Sequence, residues 1–122
     1  MEKVLGIGGV FFRARDPGAL AAWYLRHLGV NPVPAGPDDQ VWMQEAGPTV
    51  FAPFPDDTDY FGTSSRAFMV NFRVRDLDAM IAQLDAAGIA VETRDEWNSQ
   101  IGRFARIVDP EGNPIELWQP PG

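Results

Sequence analysis

The alternation of apolar and polar positions, punctuated by turn residues, predicts the same order of elements in both halves of the chain. In the first half we expect a strand at 4–13, a helix at 19–28 and strands at 30–34, 40–45 and 49–54. In the second half we expect a strand at 68–74, a helix at 77–87 and strands at 89–93, 103–108 and 114–119. Asp16 and Asp76 are predicted to cap the two helices, which end at Gly29 and Gly88. Each half therefore reads as a βαβββ module.

The two halves also share residues at a fixed offset of sixty positions. The identical pairs are Val10/Val70, Phe12/Phe72, Arg13/Arg73, Arg15/Arg75, Asp16/Asp76, Ala19/Ala79 and Ala22/Ala82. An ungapped match through a strand and into a helix indicates two copies of one unit. Because about sixty residues alone make a marginal core, the copies should share one. We predict a single domain, 1–122, made of modules 4–54 and 67–120 joined by a linker, 55–66.

Composition limits the classes of partner. The net charge is −7 and the pI is near 4.5, which disfavours nucleic acid and anionic membranes as partners. The chain contains no cysteine, which excludes disulfides and thiolate metal sites. The single histidine, His27, is predicted on the first helix near its end, where a cation is favourable. With no membrane span or signal-peptide pattern in the sequence, we expect a cytoplasmic protein.

A turn motif closes the second module. Asp109-Pro110-Glu111-Gly112-Asn113 lies between two apolar strands and predicts a hairpin. This motif, continued to Leu117, and the paired modules resemble the vicinal oxygen chelate superfamily of glyoxalases, extradiol dioxygenases and bleomycin resistance proteins. The resemblance implies an α+β fold in which two βαβββ modules form an incomplete mixed β-barrel with flanking helices. It also implies a small-molecule cavity and a homodimer, with modules paired within or between chains.

Enzymes of that superfamily bind one divalent metal with two side chains from each module. The corresponding positions here are Gly9, Val50, Met69 and Glu116. Only Glu116 carries a suitable donor for a first-row divalent metal. A shift in the register at Val50 would offer Gln44 or Glu45 instead, and two positions would still lack a ligand. We therefore expect no metal and no cofactor.

Strand alternation places a further set of side chains beside Glu116 in the expected cavity. They are Phe11, Arg13, Asn71, Arg73 and Trp118, with Trp42 from a preceding strand and Phe104 or Arg106 as a further candidate from the strand before the hairpin. An aromatic lining with a few polar groups is typical of ligand sites. The same aromatics could instead close the barrel or form a dimer interface. Glu116 could pair with Arg13 or Arg73, or remain unpaired and act as a base.

These patterns support three functional hypotheses. The first is a metal-free protein of the bleomycin-resistance kind that holds a small planar or cationic molecule among aromatic side chains. The second is a lyase, isomerase or dioxygenase-like enzyme that uses Glu116 as catalytic base or as the one retained metal ligand. The third is a structural dimerisation module. Whether the protein is an enzyme stays open at this point.

Overall fold

The computed structural model describes residues 1–62 and 65–122, and its regular elements are helices and short strands in an α+β arrangement. In chain order they are α1 (Pro17–Leu28), β1 (Val70–Arg73), α2 (Leu77–Ala86), a 3₁₀ turn (Asp95–Trp97), β2 (Arg103–Val108) and β3 (Pro114–Gln119). Among the described residues, none of the helices has the length and apolar character needed to cross a bilayer. The predicted α+β class is confirmed.

Both helices begin at the predicted aspartates. The Asp16 carboxylate accepts the backbone N–H of Ala19 at 3.1 Å, and Asp76 accepts that of Ala79 at 3.0 Å. Each bond satisfies one of the free N–H groups of a helix start. Gly29 follows α1 with φ at 72°, a left-handed conformation that favours glycine. Local capping chemistry thus sets the helix ends as the sequence indicates.

The three strands form one open sheet in the order β1-β3-β2. β1 runs parallel to β3, and β2 runs antiparallel to it. One face of the sheet packs against α2 and carries the core. The core residues are Leu77, Leu84, Ala105, Ile107, Ile115 and Leu117, all essentially inaccessible to solvent. The opposite face of β2 and β3 therefore presents the alternate residues, among them the polar ones.

The first module departs from the prediction. Within the described residues, the expected strands at 4–13, 30–34, 40–45 and 49–54 form no strand pairing, and 89–93 keeps a single bridge, Glu92 to Arg106. The sheet is open, not a closed barrel. Alternation specifies which face of a strand is apolar but not which edge it pairs with. These segments leave apolar side chains in solvent, including Leu5 at 105%, Phe11 at 94% and Phe51 at 85% exposure.

The hairpin turn between β2 and β3 connects the two halves through one buried carboxylate. Asp109 is 4% exposed and accepts the hydroxyl of Tyr24 on α1 at 2.7 Å. It also accepts the backbone N–H groups of Glu111 and Asn113 and the side-chain amide of Asn113, at 2.7 to 3.0 Å. Burial, and then the bond to Asp109, raise the pKa of Tyr24 far above its ordinary value. The turn is thereby fixed internally and attached to the first half.

A second carboxylate of the same turn caps the start of α1. Glu111 accepts the backbone N–H groups of Arg15 and Asp16 at 2.6 and 3.0 Å. These two bonds hold the pKa of Glu111 below its usual range, because they favour the charged carboxylate. Arg15 and Asp16, which belong to the repeated segment, therefore contact Glu111 in the closing motif of the second module.

Replacement of Asp109 tests this junction. We expect Asp109→Ala to lower the free energy of unfolding by roughly 3 kcal/mol, because it leaves several donors without a partner in a buried position. Asp109→Asn keeps the shape and part of the acceptor capacity and should cost less. Denaturant unfolding checks both, with Asp57→Ala in an exposed position as the control. A loss from Asp109→Ala no larger than that of Asp57→Ala would contradict the assigned role.

Candidate functional site

Glu116 lies at the centre of the sheet face that points away from α2. In the strand register it stands opposite Asn71 of β1 and Arg106 of β2, so the three side chains share a face. Glu116 is 9% exposed. Its Oε1 accepts the side-chain amide of Asn71 at 2.7 Å, and its Oε2 accepts the hydroxyl of Tyr60. Both oxygens of this buried carboxylate therefore accept hydrogen bonds, which offset the free-energy cost of burying a charge.

Tyr60 reaches this face from the predicted linker, 55–66, of which residues 63 and 64 lie outside the described chain. Its ring stacks on Phe54, with ring centres 5.5 Å apart. Burial raises the pKa of Tyr60 to about 12, and the bond to the Glu116 carboxylate and its negative charge act in the same direction, while Arg106 opposes them. The predicted linker thus supplies an aromatic side chain to the site.

Arg106 lies between aromatic rings on the same face. The guanidinium carbon is 4.7 Å from the centre of the Tyr60 ring and 5.1 Å from the centre of the Trp97 ring. Both distances allow cation–π attraction. Its Nε is buried and finds no hydrogen-bond partner within the described parts of the chain. Arg94 contacts the Trp97 ring as well, at 5.1 Å, and is paired with Glu92 at 2.7 Å.

Trp118 forms the next part of the face along β3. It stacks on Phe104 of β2 with the two rings nearly parallel and 6.1 Å apart, and its indole N–H donates to the carbonyl of Ile101 at 2.9 Å. Gly102 makes this close packing possible. A Cβ on Gly102 would lie 2.4 Å from the carbonyl oxygen of Gln119, and its φ of +132° also favours glycine. Trp118 is 8% exposed and so acts as a wall of the site.

Three of the other predicted site residues lie elsewhere. Phe11 and Arg13 line a separate open cavity of about 600 Å³ beside Phe68. Trp42 packs edge-on against Phe72, whose ring contacts α1 through Tyr24. The structure does not bring these three side chains to Glu116.

Arg73 lies on the same side of β1 as Asn71 and is engaged with the first module. Its guanidinium donates to the carbonyl of Glu45 at 2.7 Å and packs so closely against Gly47 that a Cβ there would clash. Within the described residues, neither Arg13 nor Arg73 is paired with Glu116. Of the predicted set, Asn71 and Glu116 are joined by a hydrogen bond, and Trp118 shares their face.

Sequence reasoning gave Arg106 a place beside Phe104 only as a possible addition and missed Tyr60 and Trp97. The signal for Arg106 is strand parity, since it stands two residues from Phe104 on β2. For Tyr60 the signal is an aromatic pair, Tyr60-Phe61, inside an otherwise acidic linker. For Trp97 the sequence offers no signal beyond its residue type, because it lies in the 3₁₀ turn, whose position is set by tertiary packing.

The residues at the superfamily's metal positions do not fit a divalent ion. Gly9 and Val50 offer no side-chain donor, Val50 is 71% exposed, and Met69 offers only a thioether, which leaves Glu116 as the one suitable ligand. Across 1–62 and 65–122, no group of three or more His, Asp or Glu side chains is placed to hold a metal. The donor chemistry at these positions therefore gives no basis for a reaction step through a metal.

Comparison with known proteins agrees with this fold and motif. The sequence model of the family described as a glyoxalase-like domain matches residues 9–118. The chain therefore belongs to the glyoxalase-like domain family, which confirms the resemblance to the vicinal oxygen chelate superfamily. No curated protein matches the sequence.

Two solved structures from Streptomyces sp. CB03234 are similar to this chain. TnmS3, an antibiotic binding protein, shares 27% identity with a TM-score of 0.57, covering 87% of this chain and 88% of its own. A glyoxalase/bleomycin resistance protein shares 36% identity with a TM-score of 0.38, covering 51% of this chain and 54% of its own. The first of these supports the overall fold over most of the chain.

The titration of Tyr60 tests the geometry around Glu116. Ionised Tyr60 cannot donate to the carboxylate, so the folded protein keeps the proton to about pH 12, whereas an unfolded tyrosine loses it near pH 10. The stability contributed by this bond should be complete below about pH 10 and should be lost as the pH rises toward about 12. Tyrosinate absorbance in wild type and Glu116→Gln measures the shift. We expect Glu116→Gln to move the titration toward the ordinary value, and an unchanged titration would contradict the contact.

Proposed function

We propose that the protein binds a small planar molecule at the sheet face around Glu116 and does not transform it. The observation that carries the proposal is the cluster of Tyr60, Trp97 and Arg106 beside a buried, hydrogen-bonded carboxylate. Aromatic rings attract the faces and edges of other rings, each good pair contributing about 0.5–1.5 kcal/mol beyond the buried area. The similarity to an antibiotic binding protein supports binding as the activity.

The state of Glu116 favours binding over catalysis. A general base needs a lone pair directed at the proton it removes. Here one oxygen of Glu116 accepts from Asn71 and the other from Tyr60. The carboxylate is thus held in place as part of the site wall. The poor fit of the four metal positions supports a metal-free site.

The site has a route of access at the β1 edge. Asn71 is solvent-exposed while its partner Glu116 is buried, so the face opens on that side. Tyr60 belongs to the predicted linker and takes no part in the pairing of β1, β2 and β3. A planar molecule entering there would meet the rings of Tyr60 and Trp97 first.

Removal of the Trp97 ring tests this binding site. Titration of 2-acetylnaphthalene, a planar neutral probe, should give saturable binding by calorimetry. We expect Trp97→Ala to weaken it about tenfold, because a stacking ring is lost. Trp23→Ala is the matched control, since Trp23 lies on α1 against Tyr24 and His27.

Phe11→Ala separates this site from the cavity beside Phe68. A loss of probe binding in Phe11→Ala with wild-type affinity in Trp97→Ala would place the site in that cavity and contradict the proposal. Saturable binding that all three variants retain in full would place the site elsewhere and contradict the proposal, whereas no saturable binding by the wild type would favour a structural dimerisation module.

We also propose that the protein is a homodimer. The first module exposes many large apolar side chains, a pattern that marks interaction surfaces. They include Val4, Leu5, Ile7, Phe11, Val33, Met43, Val50 and Phe51. Its predicted strands are unpaired, and β1 has a free edge in the described chain. A second copy offers the same segments and edges in return, as a two-fold interface requires.

Sedimentation equilibrium tests the dimer. The chain mass is 13.5 kDa, so twice that mass, about 27 kDa, is expected at micromolar concentration. A charge at an exposed apolar position of the first module, Phe51→Asp, should shift the population toward monomer. Gln100→Asp, exposed in the second module, is the control. A monomer mass for the wild type across the whole concentration range would contradict this proposal.

A further inference from the structure

We propose that Arg106 makes the site selective for planar ligands that carry an oxygen hydrogen-bond acceptor, such as a ring carbonyl, phenolate or carboxylate, over planar cations. This inference rests on the proposed function and names the chemical class of its ligand. Glu116 and Arg106 face each other across β2 and β3, and they differ in how fully the protein satisfies their hydrogen bonding.

Glu116 retains only part of its acceptor capacity, because two hydrogen bonds occupy two of its about four lone-pair positions, and little of the rest faces solvent. Each of its oxygens already accepts a hydrogen bond from the protein, and the side chain is almost fully buried. A cationic ligand would compete with the hydrogen bonds from Tyr60 and Asn71 in forming a direct ion pair, so part of the charge of Glu116 is already satisfied by the protein.

Arg106 has one N–H donor without a hydrogen-bond partner in the described chain. Its Nε–H is buried, and no acceptor in the described parts of the chain meets it. A buried donor without a partner costs free energy, and a ligand oxygen that accepts a hydrogen bond from it would remove that cost. Because the donor carries charge, the bond to an anionic or strongly polarised oxygen is stronger than a neutral one.

The position of the guanidinium fits a planar ligand. Tyr60 and Trp97 lie at stacking distance from it, which shows that a flat ring can lie against this group. A ligand ring that stacks on Trp97, with Tyr60 still bonded to Glu116, can direct an oxygen at its edge to the Nε–H of Arg106. A planar cation in the same place would meet a like charge, in a site where water screens it less than at the surface.

Three probes with one ring system test the preference. They are 2-naphthoate, 2-acetylnaphthalene and 2-naphthylmethylammonium, which differ only in the group on the ring. For the wild type we expect the carboxylate and the ketone each to bind at least about tenfold more tightly than the ammonium compound. This ranking uses the unaltered protein and so does not depend on any variant folding.

Variants of Arg106 then assign the preference to its side chain. Arg106→Gln should weaken 2-naphthoate about tenfold or more and leave the ammonium probe unchanged or tighter, because a charged donor is lost. Arg106→Lys keeps the charge without the planar N–H group and should recover only part of the preference for the ketone. Arg103→Lys is the matched control on β2, where Arg103 is half-exposed and bonded to Asp78. Circular dichroism verifies that each variant is folded.

The outcomes separate this inference from the proposed function. If the ammonium probe binds the wild type as tightly as the other two, or if Arg106→Gln retains their ranking, the acceptor preference is wrong while binding of planar molecules stands. If none of the three probes binds the wild type, both proposals are wrong. Tight binding of the acceptor probes that depends on both Trp97 and Arg106 supports both.

Discussion

The buried carboxylate of Asp109 is the interaction on which the rest of the structure depends. It fixes the turn between β2 and β3 by accepting bonds from Glu111 and Asn113, and it holds α1 through the hydroxyl of Tyr24. This turn then fixes the register in which β2 and β3 pair. A slip of one residue would move Glu116 into the core and Leu117 onto the site face. The chemistry of the site therefore follows from a turn that lies outside it.

The site face combines groups with opposite requirements. Glu116 is satisfied by Asn71 and Tyr60, whereas Arg106 is placed among rings with its Nε–H unmatched in the described chain. A pair of opposite charges at facing positions would ordinarily be expected to neutralise each other. Here the carboxylate accepts from neutral donors, and the Nε–H of the guanidinium has no partner in the described chain. That asymmetry is the feature that distinguishes a binding face from an internal ion pair.

Local chemistry was predictable from the sequence. The aspartate caps, the glycine after α1 and the hairpin strands of β2 and β3 lie where their residue types require. The resemblance placed Met69 and Glu116 at one site, and strand parity added Asn71 to the side of Met69, because parity is a property of neighbouring residues. Hydrogen bonding between Asn71 and Glu116 agrees with that placement.

Long-range placement was not predictable in the same way. Tyr60 and Trp97 reach the face from a linker and a loop, whose paths depend on packing rather than on a local period. The predicted strands of the first module need a partner strand. The alternation of apolar positions such as Val10 and Phe12 does not show which strand that partner is. Arg13 and Arg73 occupy equivalent repeat positions, yet Arg73 contacts Glu45 and Arg13 lines another cavity. Duplication of a sequence thus does not guarantee equivalent contacts.

The most direct measurement of the central claim is an NMR titration that follows the Nε–H resonances of arginine and tryptophan side chains as 2-acetylnaphthalene is added. We predict large, saturable shifts for Arg106 and Trp97 and none for Arg13, which lines the other cavity. Because Arg106 Nε–H has no partner in the described chain, its resonance should move toward that of a hydrogen-bonded donor. Shifts confined to Arg13, with Arg106 and Trp97 unchanged, would contradict the location of the site.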